Sequence, residues 1–271
     1  MSRRSRAGPY GVRMPLTALV TGATTGIGAA FARQLAAEGT GLVLVARDAA
    51  RLESVAAELR TAHGVPVEVL PADLTDADAT RPVQDRLAAT DRPVDLLVNN
   101  AGMGLKGRFW QTSLADQERM LALNCTSVLR LSHAALGAMV PRGRGDIIVV
   151  SSMAGFAPGS RGSYGASKAW ATAFAESLAG QLSGTGVHVS AVAPGFVHTE
   201  FHQRADLDMS KVPELMWLDA PGVAATALRD HRAGQVVSVP GTQNKALAVA
   251  ARLVPRNAAR TLTEAFRRRA L

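Results

Sequence analysis

Short apolar runs that alternate with helix-like segments constrain the fold of this chain more than any other feature. Each run is about five residues long, rich in Val, Leu and Ile, and continuous rather than alternating. Strands buried on both faces have this composition, which is typical of a parallel sheet covered by helices. The seven runs are residues 16–21, 41–46, 67–70, 95–99, 146–151, 187–193 and 235–239.

The segments between the runs have amphipathic spacing and predict helices near residues 27–38, 49–63, 75–90, 113–140, 163–183 and 221–231. Several of these segments begin with capping residues: Thr75 or Asp76, Ser113, and Asp219 ahead of Pro221. The sequence has no linker-like change in composition and no internal repeat. It therefore predicts one doubly wound, Rossmann-type α/β domain over residues 14–245, with a seven-stranded parallel sheet and helices on both faces.

The net charge of +8 is concentrated at the two ends of the chain. Residues 1–13 contain four arginines and no acid, and residues 251–271 contain six arginines against one glutamate, whereas the remainder is close to neutral. The basic ends lack the interleaved aromatics that stack on bases, so we predict no nucleic-acid partner. We interpret the two basic ends as solubilising tails, with residues 1–13 as an extension. Weak contact with an anionic membrane surface or with an acidic partner is the alternative.

Residues 246–271 are apolar on one side and basic on the other, which predicts an amphipathic helical tail. Such a tail would suit packing against a neighbouring subunit, covering the opening of the substrate site or contacting a membrane surface. The sequence does not distinguish among these three. No apolar stretch approaches the roughly 20 residues of a membrane span. The single cysteine, Cys125, excludes an internal disulfide and a multi-cysteine metal site. We therefore expect a cytoplasmic protein.

A glycine-rich turn lies where the first predicted strand meets the first helix. Gly22, Gly26 and Gly28 permit a sharp turn and a close approach to a ligand, and the helix N-terminus then offers N–H groups to a pyrophosphate. The spacing is G-x-x-x-G-x-G, which differs from the general G-x-G-x-x-G fingerprint. The turn predicts a dinucleotide phosphate site.

The end of the second predicted strand bears on the choice of cofactor. A carboxylate at this tip would bind the ribose 2′-OH of NAD, whereas a guanidinium would pair with the 2′-phosphate of NADP. Ala46 occupies the tip and Arg47 follows it, which favours NADP(H). NAD(H) stays open as the alternative because Asp48 is adjacent.

Tyr164 and Lys168 are four residues apart on a predicted helix and therefore share one face, with Cβ atoms roughly 5–6 Å apart. A lysine ammonium beside a tyrosine favours the phenolate and lowers its pKa from about 10 toward neutrality. This pairing suits proton transfer to and from an alcohol oxygen. The spacing alone is weak support, because Y-x-x-x-K also occurs by chance on solvated helices.

Seven motifs in order along residues 16–199 resemble those of the short-chain dehydrogenase/reductase family, in its single-domain branch. They are residues 21–28, Ala72-Asp73-Leu74, Asn99 to Gly102, Asn124, Ser151-Ser152, Tyr164 with Lys168, and Pro194-Gly195 with Thr199. The resemblance implies an oxidoreductase that acts on CH–OH groups with NAD(P). It also implies a homodimer or homotetramer, formed through the long helices near 113–140 and 163–183.

The resemblance implies four catalytic roles. Tyr164 would be the general acid/base on the carbonyl or carbinol oxygen, and Lys168 would lower its pKa and hold the nicotinamide ribose. Ser152 would hydrogen-bond the same substrate oxygen. Asn124 would kink the long helix and position a water for a proton relay.

It also implies a set of cofactor contacts. Asp73 would lie near the adenine ring, Asn99 and Gly102 near the adenosine ribose, and Thr199 at the nicotinamide carboxamide. The predicted cofactor-binding residues are Gly22, Thr24, Thr25, Gly26, Ile27, Gly28, Arg47, Asp73, Leu74, Asn100, Ala101, Gly102, Tyr164, Lys168, Pro194, Gly195, Val197 and Thr199.

Two details depart from the family pattern. The interval from Ser152 to Tyr164 is twelve residues, one shorter than usual, and residues 158–162 would absorb the deletion as a loop. This leaves Ser151 open as the alternative catalytic serine. Thr24 and Thr25 stand where small serines are common, and we expect little effect because the hydroxyls are retained.

Residues 196–218 are expected to form a lid over the substrate. Apolar side chains among polar ones predict an apolar pocket that closes on binding, although the same residues would also suit anchoring of the loop to the core. These apolar residues are Phe201, Leu207, Met209, Leu215, Met216 and Trp217. His198 and His202 have i, i+4 spacing but no evident third ligand, so we predict no metal site.

These features together predict an NADP(H)-dependent enzyme that interconverts a carbonyl and a secondary alcohol on a moderately apolar small molecule. A hydroxysteroid or 3-oxoacyl reductase is the alternative within enzymes. A non-catalytic NADP-binding regulatory protein is the alternative from another class, and the presence of both Tyr164 and Lys168 disfavours it.

Overall fold

The computed structural model describes residues 16–156, 162–201, 205, 209 and 212–253. Its strands are β1 (Thr17–Thr21), β2 (Gly41–Ala46), β3 (Val67–Pro71), β4 (Leu96–Asn99), β5 (Gly145–Val150), β6 (Val187–Val192), β7 (Phe196–Val197), β8 (Trp217–Leu218) and β9 (Val237–Ser238). Seven of them form one parallel sheet in the order β3-β2-β1-β4-β5-β6-β9. The predicted seven-stranded parallel sheet is confirmed, with every strand boundary within two residues.

The helices are α1 (Gly26–Ala37), α2 (Ala49–His63), α3 (Ala77–Ala88), α4 (Leu114–Leu121), α5 (Ser127–Met139), α6 (Gly162–Gln181), α7 (Ala220–Arg232) and α8 (Thr242–Leu253). Helices α1, α2 and α7 pack on one face of the sheet, and α3, α5 and α6 pack on the other. Successive β1 residues point to opposite faces: Val20 enters the first core and Leu19 the second. The predicted doubly wound α/β class is confirmed.

Side-chain caps explain where several helices begin. The carboxylates of Asp48, Asp76 and Asp219 and the hydroxyl of Ser113 each accept a hydrogen bond from a main-chain N–H in the first turn of the helix that follows. Asp76, rather than Thr75, caps α3. Caps of this kind stabilise a helix by about 1 kcal/mol.

The long helix predicted over 113–140 is interrupted. A π-helical turn, Ala122–Thr126, separates α4 from α5 and contains Asn124, where the family resemblance implied a kink. A π-helical turn inserts an extra residue into the helix and shifts the side chains that follow it. Asn124 thereby lies inside the fold, 1% exposed.

Two features of the fold were not predicted. Strands β7 and β8 form a separate two-stranded parallel sheet, with Phe196 opposite Trp217. Two-residue strands are too short to produce a sequence period, so pattern analysis cannot find them. Helix α8 begins at Thr242, before the predicted tail at 246, whereas residues 1–13 and 254–271 lie outside the described residues.

The sheet topology places the functional crevice. Parallel strands all end at one edge, and the strand order reverses between β1 and β4. Doubly wound sheets bind ligands outside the carboxyl ends of their strands, at this point of reversal. Within the described ranges, no helix is both long and apolar enough to cross a bilayer.

Candidate active site

The glycine turn follows β1 at the reversal point and is packed against the end of β4. Gly22 has φ of +66°, and a Cβ there would lie 2.8 Å from Asn100 Nδ2. A Cβ at Gly28 would collide with the carbonyl oxygen of Gly22. Both positions therefore require glycine, and the main chain itself forms the wall of the crevice.

The N-terminus of α1 opens into the same crevice. Thr25 is the N-cap residue, extended in conformation, and its side chain makes no capping hydrogen bond. The first-turn N–H groups of a helix have no intrahelical acceptor and carry the positive end of the helix dipole. This end of α1 is suited to a diphosphate.

Thr21 and Asn100 hold the turn in place. Thr21 Oγ1 accepts hydrogen bonds from the main-chain N–H groups of Asn100 and Ala101, both at 2.9 Å. Asn100 Nδ2 donates to the carbonyl oxygen of Thr21 at 2.8 Å. The neighbouring Asn99 points away from the turn, because its buried Nδ2 donates to Ser132 Oγ on α5.

Tyr164 and Lys168 lie on the first turns of α6 and are 7% and 5% exposed. Lys168 Nζ donates to the carbonyl oxygen of Val150, at the end of β5, over 2.9 Å. Burial lowers the pKa of Lys168 from 10.5 to about 8, because the ammonium loses its hydration; the nearby Cys125 acts weakly in the opposite direction. The lysine is therefore held at the sheet edge with a pKa near neutrality.

Asn124, Gly102 and Lys168 converge beside the end of β4. Asn124 Oδ1 accepts from the N–H of Met103, and Nδ2 donates to the carbonyl oxygen of Met103, both at 2.9 Å. A Cβ placed on Gly102 would lie 3.2 Å from both Asn124 Oδ1 and Lys168 Nζ. The π-helical turn thus places the Asn124 amide oxygen beside the same glycine that Lys168 Nζ borders.

Ser151 and Ser152 follow β5 and have different surroundings. Ser151 is buried, and its Oγ contacts the carbonyl oxygen of Lys168 and Thr172 Oγ1, both at 2.7 Å. Ser152 is partly buried and accepts from the N–H of Ala154 over 3.1 Å. Ser151 therefore joins β5 to α6. Of residues 158–162, which were predicted to absorb the deletion as a loop, 158–161 lie outside the described residues and Gly162 begins α6.

The chain after β6 covers the crevice. The Thr199 methyl group would lie 2.8 Å from a Cβ placed on Gly26. The Phe201 ring centroid is 5.8 Å from that of Tyr164, and the Phe201 ring tip would lie 3.2 Å from a Cβ on Gly104. Phe201 therefore places an aromatic wall over Tyr164. Residues 202–204, 206–208 and 210–211 of the predicted lid lie outside the described residues.

Strands β7 and β8 pair the two ends of the predicted lid, residues 196–218. His198 Nε2 lies 3.1 Å from Glu214 Oε1, and the His198 ring stacks on Trp217 at 4.4 Å between centroids. Within the residues that the structure describes, no three His, Cys, Asp or Glu side chains form a metal-binding group. His202 is not among them.

The comparisons with known proteins agree with this geometry. The short chain dehydrogenase family model matches residues 16–210, well over half of the chain. The chain belongs to the short-chain dehydrogenase family. It is therefore an oxidoreductase of the class that acts on CH–OH groups.

Three known proteins illustrate the relationship. The serine 3-dehydrogenase of Agrobacterium fabrum is 38% identical over 188 residues, which cover 68% of this chain and 73% of that protein. A short-chain dehydrogenase from Sphingobium yanoikuyae, solved in complex with NADPH, is 37% identical with a TM-score of 0.81, covering 88% and 93% of the two chains. The bulky-bulky ketone specific alcohol dehydrogenase from Comamonas testosteroni is 33% identical with a TM-score of 0.77, covering 88% and 92%.

In this short-chain dehydrogenase, the tips of β2 and β3 form the far end of the crevice. Arg47 is exposed, and Asp48 accepts from the N–H of Arg51 as the cap of α2. Burial acts to raise the pKa of Asp73, but hydrogen bonds from Thr75 and the charges of Arg119 and Arg47 outweigh it and lower the pKa. Asp73 is therefore an ionised group within the field of Arg47.

The remaining predicted residues lie around the same edge. Leu74, Pro194 and Val197 are buried, and Ala101, Ile27 and Gly195 are partly buried. Gly195 is packed so closely on Asn244 of α8 that a Cβ would lie 2.6 Å from the Asn244 amide. Asn244 is 2% exposed and donates to the carbonyl oxygen of Pro240.

Sequence analysis missed four residues that hold this short-chain dehydrogenase site together. Thr21, Ser167, Gln117 and Asn244 act through hydrogen bonds or packing that join elements distant in sequence. Ser163 Oγ donates to Gln117 Oε1, which joins α4 to the turn of α6 that carries Tyr164. The residue types are common in any helix, so only the folded geometry reveals these contacts.

Proposed function

We propose that this short-chain dehydrogenase is an NADP(H)-dependent enzyme that interconverts a carbonyl and a secondary alcohol on a moderately apolar substrate. The observation that carries the proposal is that Lys168 Nζ and Asn124 Oδ1 both border Gly102, at the sheet edge where the Gly22–Gly28 turn also lies. Tyr164 is buried one helical turn before Lys168 on α6. General acid/base groups and a nucleotide phosphate cradle are the two parts that hydride transfer to a carbonyl requires.

The residues of the crevice fit a nicotinamide dinucleotide. The Gly22 and Gly28 main chain and the N-terminus of α1 would hold the diphosphate. Thr199, which packs on Gly26, would hydrogen-bond the nicotinamide carboxamide. When bound, the cofactor would accept or supply a hydride at C4 of the nicotinamide. The NADPH complex of the Sphingobium yanoikuyae enzyme supports this assignment.

Arg47 supports a preference for NADP(H) over NAD(H). Its exposed guanidinium follows the tip of β2, where it would pair with a 2′-phosphate. Asp48 is the residue that would favour NAD(H), but its Oδ1 accepts a hydrogen bond from the N–H of Arg51 at 3.0 Å. The capping role of Asp48 accounts for its presence at this position.

Tyr164 would donate a proton to the carbonyl oxygen during reduction and remove it from the alcohol during oxidation. Lys168, held by the Val150 carbonyl, would stabilise the phenolate through its positive charge. The ammonium predominates at neutral pH because the Lys168 pKa is about 8.

Ser152 would hold the same substrate oxygen through its hydroxyl, whereas Ser151 is committed to α6. Asn124 would keep the Met103 main chain and its own amide oxygen beside Lys168. This assignment favours Ser152 over Ser151 as the catalytic serine.

The proposed substrate class rests on the apolar side chains that lie over the crevice. Phe201 lies against Tyr164, and Ala205 is buried beside Gly104, so the space next to the acid/base is lined by apolar groups. An apolar wall favours ketones whose substituents are hydrocarbon rather than charged. The ketone specificity named for the Comamonas testosteroni relative is consistent with such a pocket.

The same proposal divides the chain into three regions: residues 1–13, the catalytic region 14–245 with its lid 196–218, and the tail 246–271. It also includes a cytoplasmic location. We also propose a homodimer or homotetramer formed through α4, α5 and α6. Leu121 and Leu129 are exposed along these helices and suit burial against a second copy. A monomer in sedimentation equilibrium would contradict this assembly.

The proposed activity is tested with a panel of ketones, acyl thioesters and steroids, assayed with NADPH and NADH in parallel. We expect NADPH oxidation with apolar ketones and, in the Tyr164→Phe variant, loss of turnover with NADPH binding retained. Turnover by that variant near the wild-type rate would refute Tyr164 as the acid/base. Tight NADPH binding with no turnover across the whole panel would favour the regulatory alternative.

A further inference from the structure

Ser167, one residue before Lys168, is buried between the two elements that carry the proposed catalytic groups. It is 1% exposed, and its hydroxyl donates to the carbonyl oxygen of Tyr164 over 2.8 Å. Its Oγ also accepts from Asn124 Nδ2 over 3.1 Å. One hydroxyl therefore joins the π-helical turn to the first turn of α6.

The direction of these hydrogen bonds is fixed by chemistry. A hydroxyl has a single hydrogen, and a carbonyl oxygen can only accept, so the Ser167 hydrogen is committed to Tyr164. The Ser167 oxygen then faces Asn124 as an acceptor and requires the amide nitrogen there. The main chain of Met103 imposes the same amide orientation, because its N–H meets Oδ1 and its carbonyl meets Nδ2.

The consequence is that Asn124 presents its amide oxygen, rather than its nitrogen, to the space beside Gly102 that Lys168 Nζ also borders. Oδ1 and Lys168 Nζ would both lie 3.2 Å from a Cβ on Gly102, so they share one small space. An amide oxygen beside an ammonium stabilises the charged form. The described titratable group that acts on this ammonium is Cys125 from the π-helical turn, and Tyr164 precedes Lys168 by one turn of the same helix.

We propose that Ser167 is a positioning residue, which fixes the Asn124 amide against α6 and thereby keeps the Lys168 ammonium charged at the pH where the enzyme works. The inference rests on the proposed function for its catalytic meaning. The hydrogen-bond geometry that supports it is independent of that function. Neither the sequence motifs nor the family match assigns Ser167 a role.

The test compares Ser167→Ala and Ser167→Cys, which lose a strong hydroxyl, with Ser167→Thr, which retains one. Ser127→Ala is the matched control, because Ser127 is 2% exposed and its hydroxyl donates to the Leu123 carbonyl in the same π-helical region. We expect about a tenfold lower kcat for ketone reduction in the Ala and Cys variants, as for an interaction of about 1.4 kcal/mol, with KM for NADPH within about twofold. Ser167→Thr should recover most of the loss.

A second readout separates positioning from general stability. The pH above which kcat/KM declines should move to lower pH by about half a unit in Ser167→Ala, because the Lys168 ammonium has lost support. The same shift should appear in the cofactor-free protein. Its unfolding temperature is expected to rise as Lys168 loses its proton, and in Ser167→Ala this rise should begin at a lower pH than in the wild type. Ser127→Ala should leave both pH values in place.

The outcomes are distinguishable. If Ser167→Ala matches Ser127→Ala in both pH readouts, the positioning role is refuted and Ser167 serves only the fold. If the wild-type protein reduces no carbonyl, the proposed function fails, but the stability measurement still decides whether Ser167 supports the Lys168 charge. Failure of Ser167→Thr to restore kcat, with unfolding temperature restored, would also overturn the proposal.

Discussion

The amino ends of the parallel strands form one edge of the central sheet, here the amino edge, and their carboxyl ends form the other, the carboxyl edge. Both edges contain buried polar side chains, but those side chains have different partners. At the amino edge, charged and ionisable groups pair with one another: His231 Nε2 lies 2.9 Å from Asp146 Oδ1, and Arg86 Nε donates to Glu68 over 2.8 Å. At the carboxyl edge, Lys168 and Asn124 bind main-chain atoms of Val150 and Met103. At the amino edge the Arg86 charge is neutralised by Glu68, whereas at the carboxyl edge a main-chain carbonyl orients the Lys168 ammonium without neutralising it.

This difference separates groups that serve the fold from groups that serve a ligand. A main-chain carbonyl fixes the direction of the Lys168 ammonium without cancelling its charge, so the charge stays available to a phenolate or a ribose hydroxyl. Among the described residues, no carboxylate forms an ion pair with Lys168. The pKa of Lys168 is low because the ammonium is buried without a carboxylate to neutralise it.

Residue types alone do not distinguish the two edges. Ser190, His231 and Asp146 form a hydrogen-bonded chain with the residue types of a hydrolytic triad, since Ser190 Oγ lies 2.7 Å from His231 Nδ1. Ser190 is 3% exposed and lies inside β6, where the sheet covers it, rather than in the crevice. The chain of three residues therefore ties α7 to β5 and β6.

Replacement of Lys168 should have the largest effect, because it removes the charge of the carboxyl edge. We expect Lys168→Met to reduce kcat about 10²- to 10⁴-fold, the range for general acid/base assistance. Steady-state kinetics with NADPH and the best ketone of the panel would measure it. Retention of more than about a tenth of the wild-type kcat would show that the tyrosine does not depend on this ammonium.

The architecture could be predicted from the sequence because continuous apolar runs indicate buried strands and capping residues indicate where helices begin. The run at residues 41–46 coincides with β2, and the segment at 49–63 coincides with α2. Asp76 and Ser113 cap the helices that they were predicted to cap. These features depend on neighbours within a few residues, which a single sequence contains.

The arrangement of the site was less accessible, because it depends on contacts between distant segments. Thr21 and Asn100 are 79 residues apart, and Ser167 and Asn124 are 43 apart. No spacing rule links such pairs. The family resemblance located Asn124 and Tyr164, but only the fold shows that a serine hydroxyl joins them. The roles of all these residues stay predictions until the variants are assayed.

The same lysine gives a pH-dependent difference in stability. Its pKa is about 8 in the folded protein, and the unfolded chain keeps the ordinary value near 10.5. Between these values the unfolded state binds more protons, so the free energy of unfolding rises with pH from about 8 to about 10.5. The total rise should be about 3 kcal/mol.

Lys168→Met lacks this titration and provides the reference. Urea denaturation of both proteins at pH 7, 8, 9 and 10 should show the wild type gaining stability relative to the variant as pH increases, in the absence of cofactor. A difference that is constant across this range would mean that Lys168 keeps its ordinary pKa in the fold.

At the amino edge, replacement of His231 should affect stability and not catalysis. His231→Ala removes the partner of both buried Ser190 and Asp146, at a cost of about 1–3 kcal/mol. Urea denaturation would measure the loss, and kcat/KM at a temperature where the variant is folded should stay within about twofold of wild type. A matching fall in kcat would show that the two edges are coupled.

Arg47 tests whether an exposed charge at the carboxyl edge is also available to a ligand. Arg47→Ala should raise KM for NADPH about tenfold, as for the loss of a charge-assisted hydrogen bond, and leave KM for NADH unchanged. Arg81→Ala is a suitable control, because Arg81 is exposed on α3 and pairs with Asp78 of the same helix. If the ratio of KM for NADPH to KM for NADH is unchanged in Arg47→Ala, a residue other than Arg47 must recognise the 2′-phosphate.

The smallest effects are expected from two ion pairs that differ in burial. Glu68→Gln leaves the 8% exposed Arg86 side chain with a weaker partner and should cost about 1 kcal/mol of unfolding free energy. Glu58→Gln alters an Arg33–Glu58 pair of equal length, 2.8 Å, whose side chains are about half exposed. Solvent screens this second pair, so the cost should be about 0.5 kcal/mol or less. The two substitutions are chemically identical, and the second partner of Glu68, Arg92, is mostly exposed and lies 3.7 Å away. The difference between their urea midpoints therefore reports mainly the burial of the Arg86 contact. Equal midpoints would mean that charge pairing at the amino edge contributes no more than pairing at the surface.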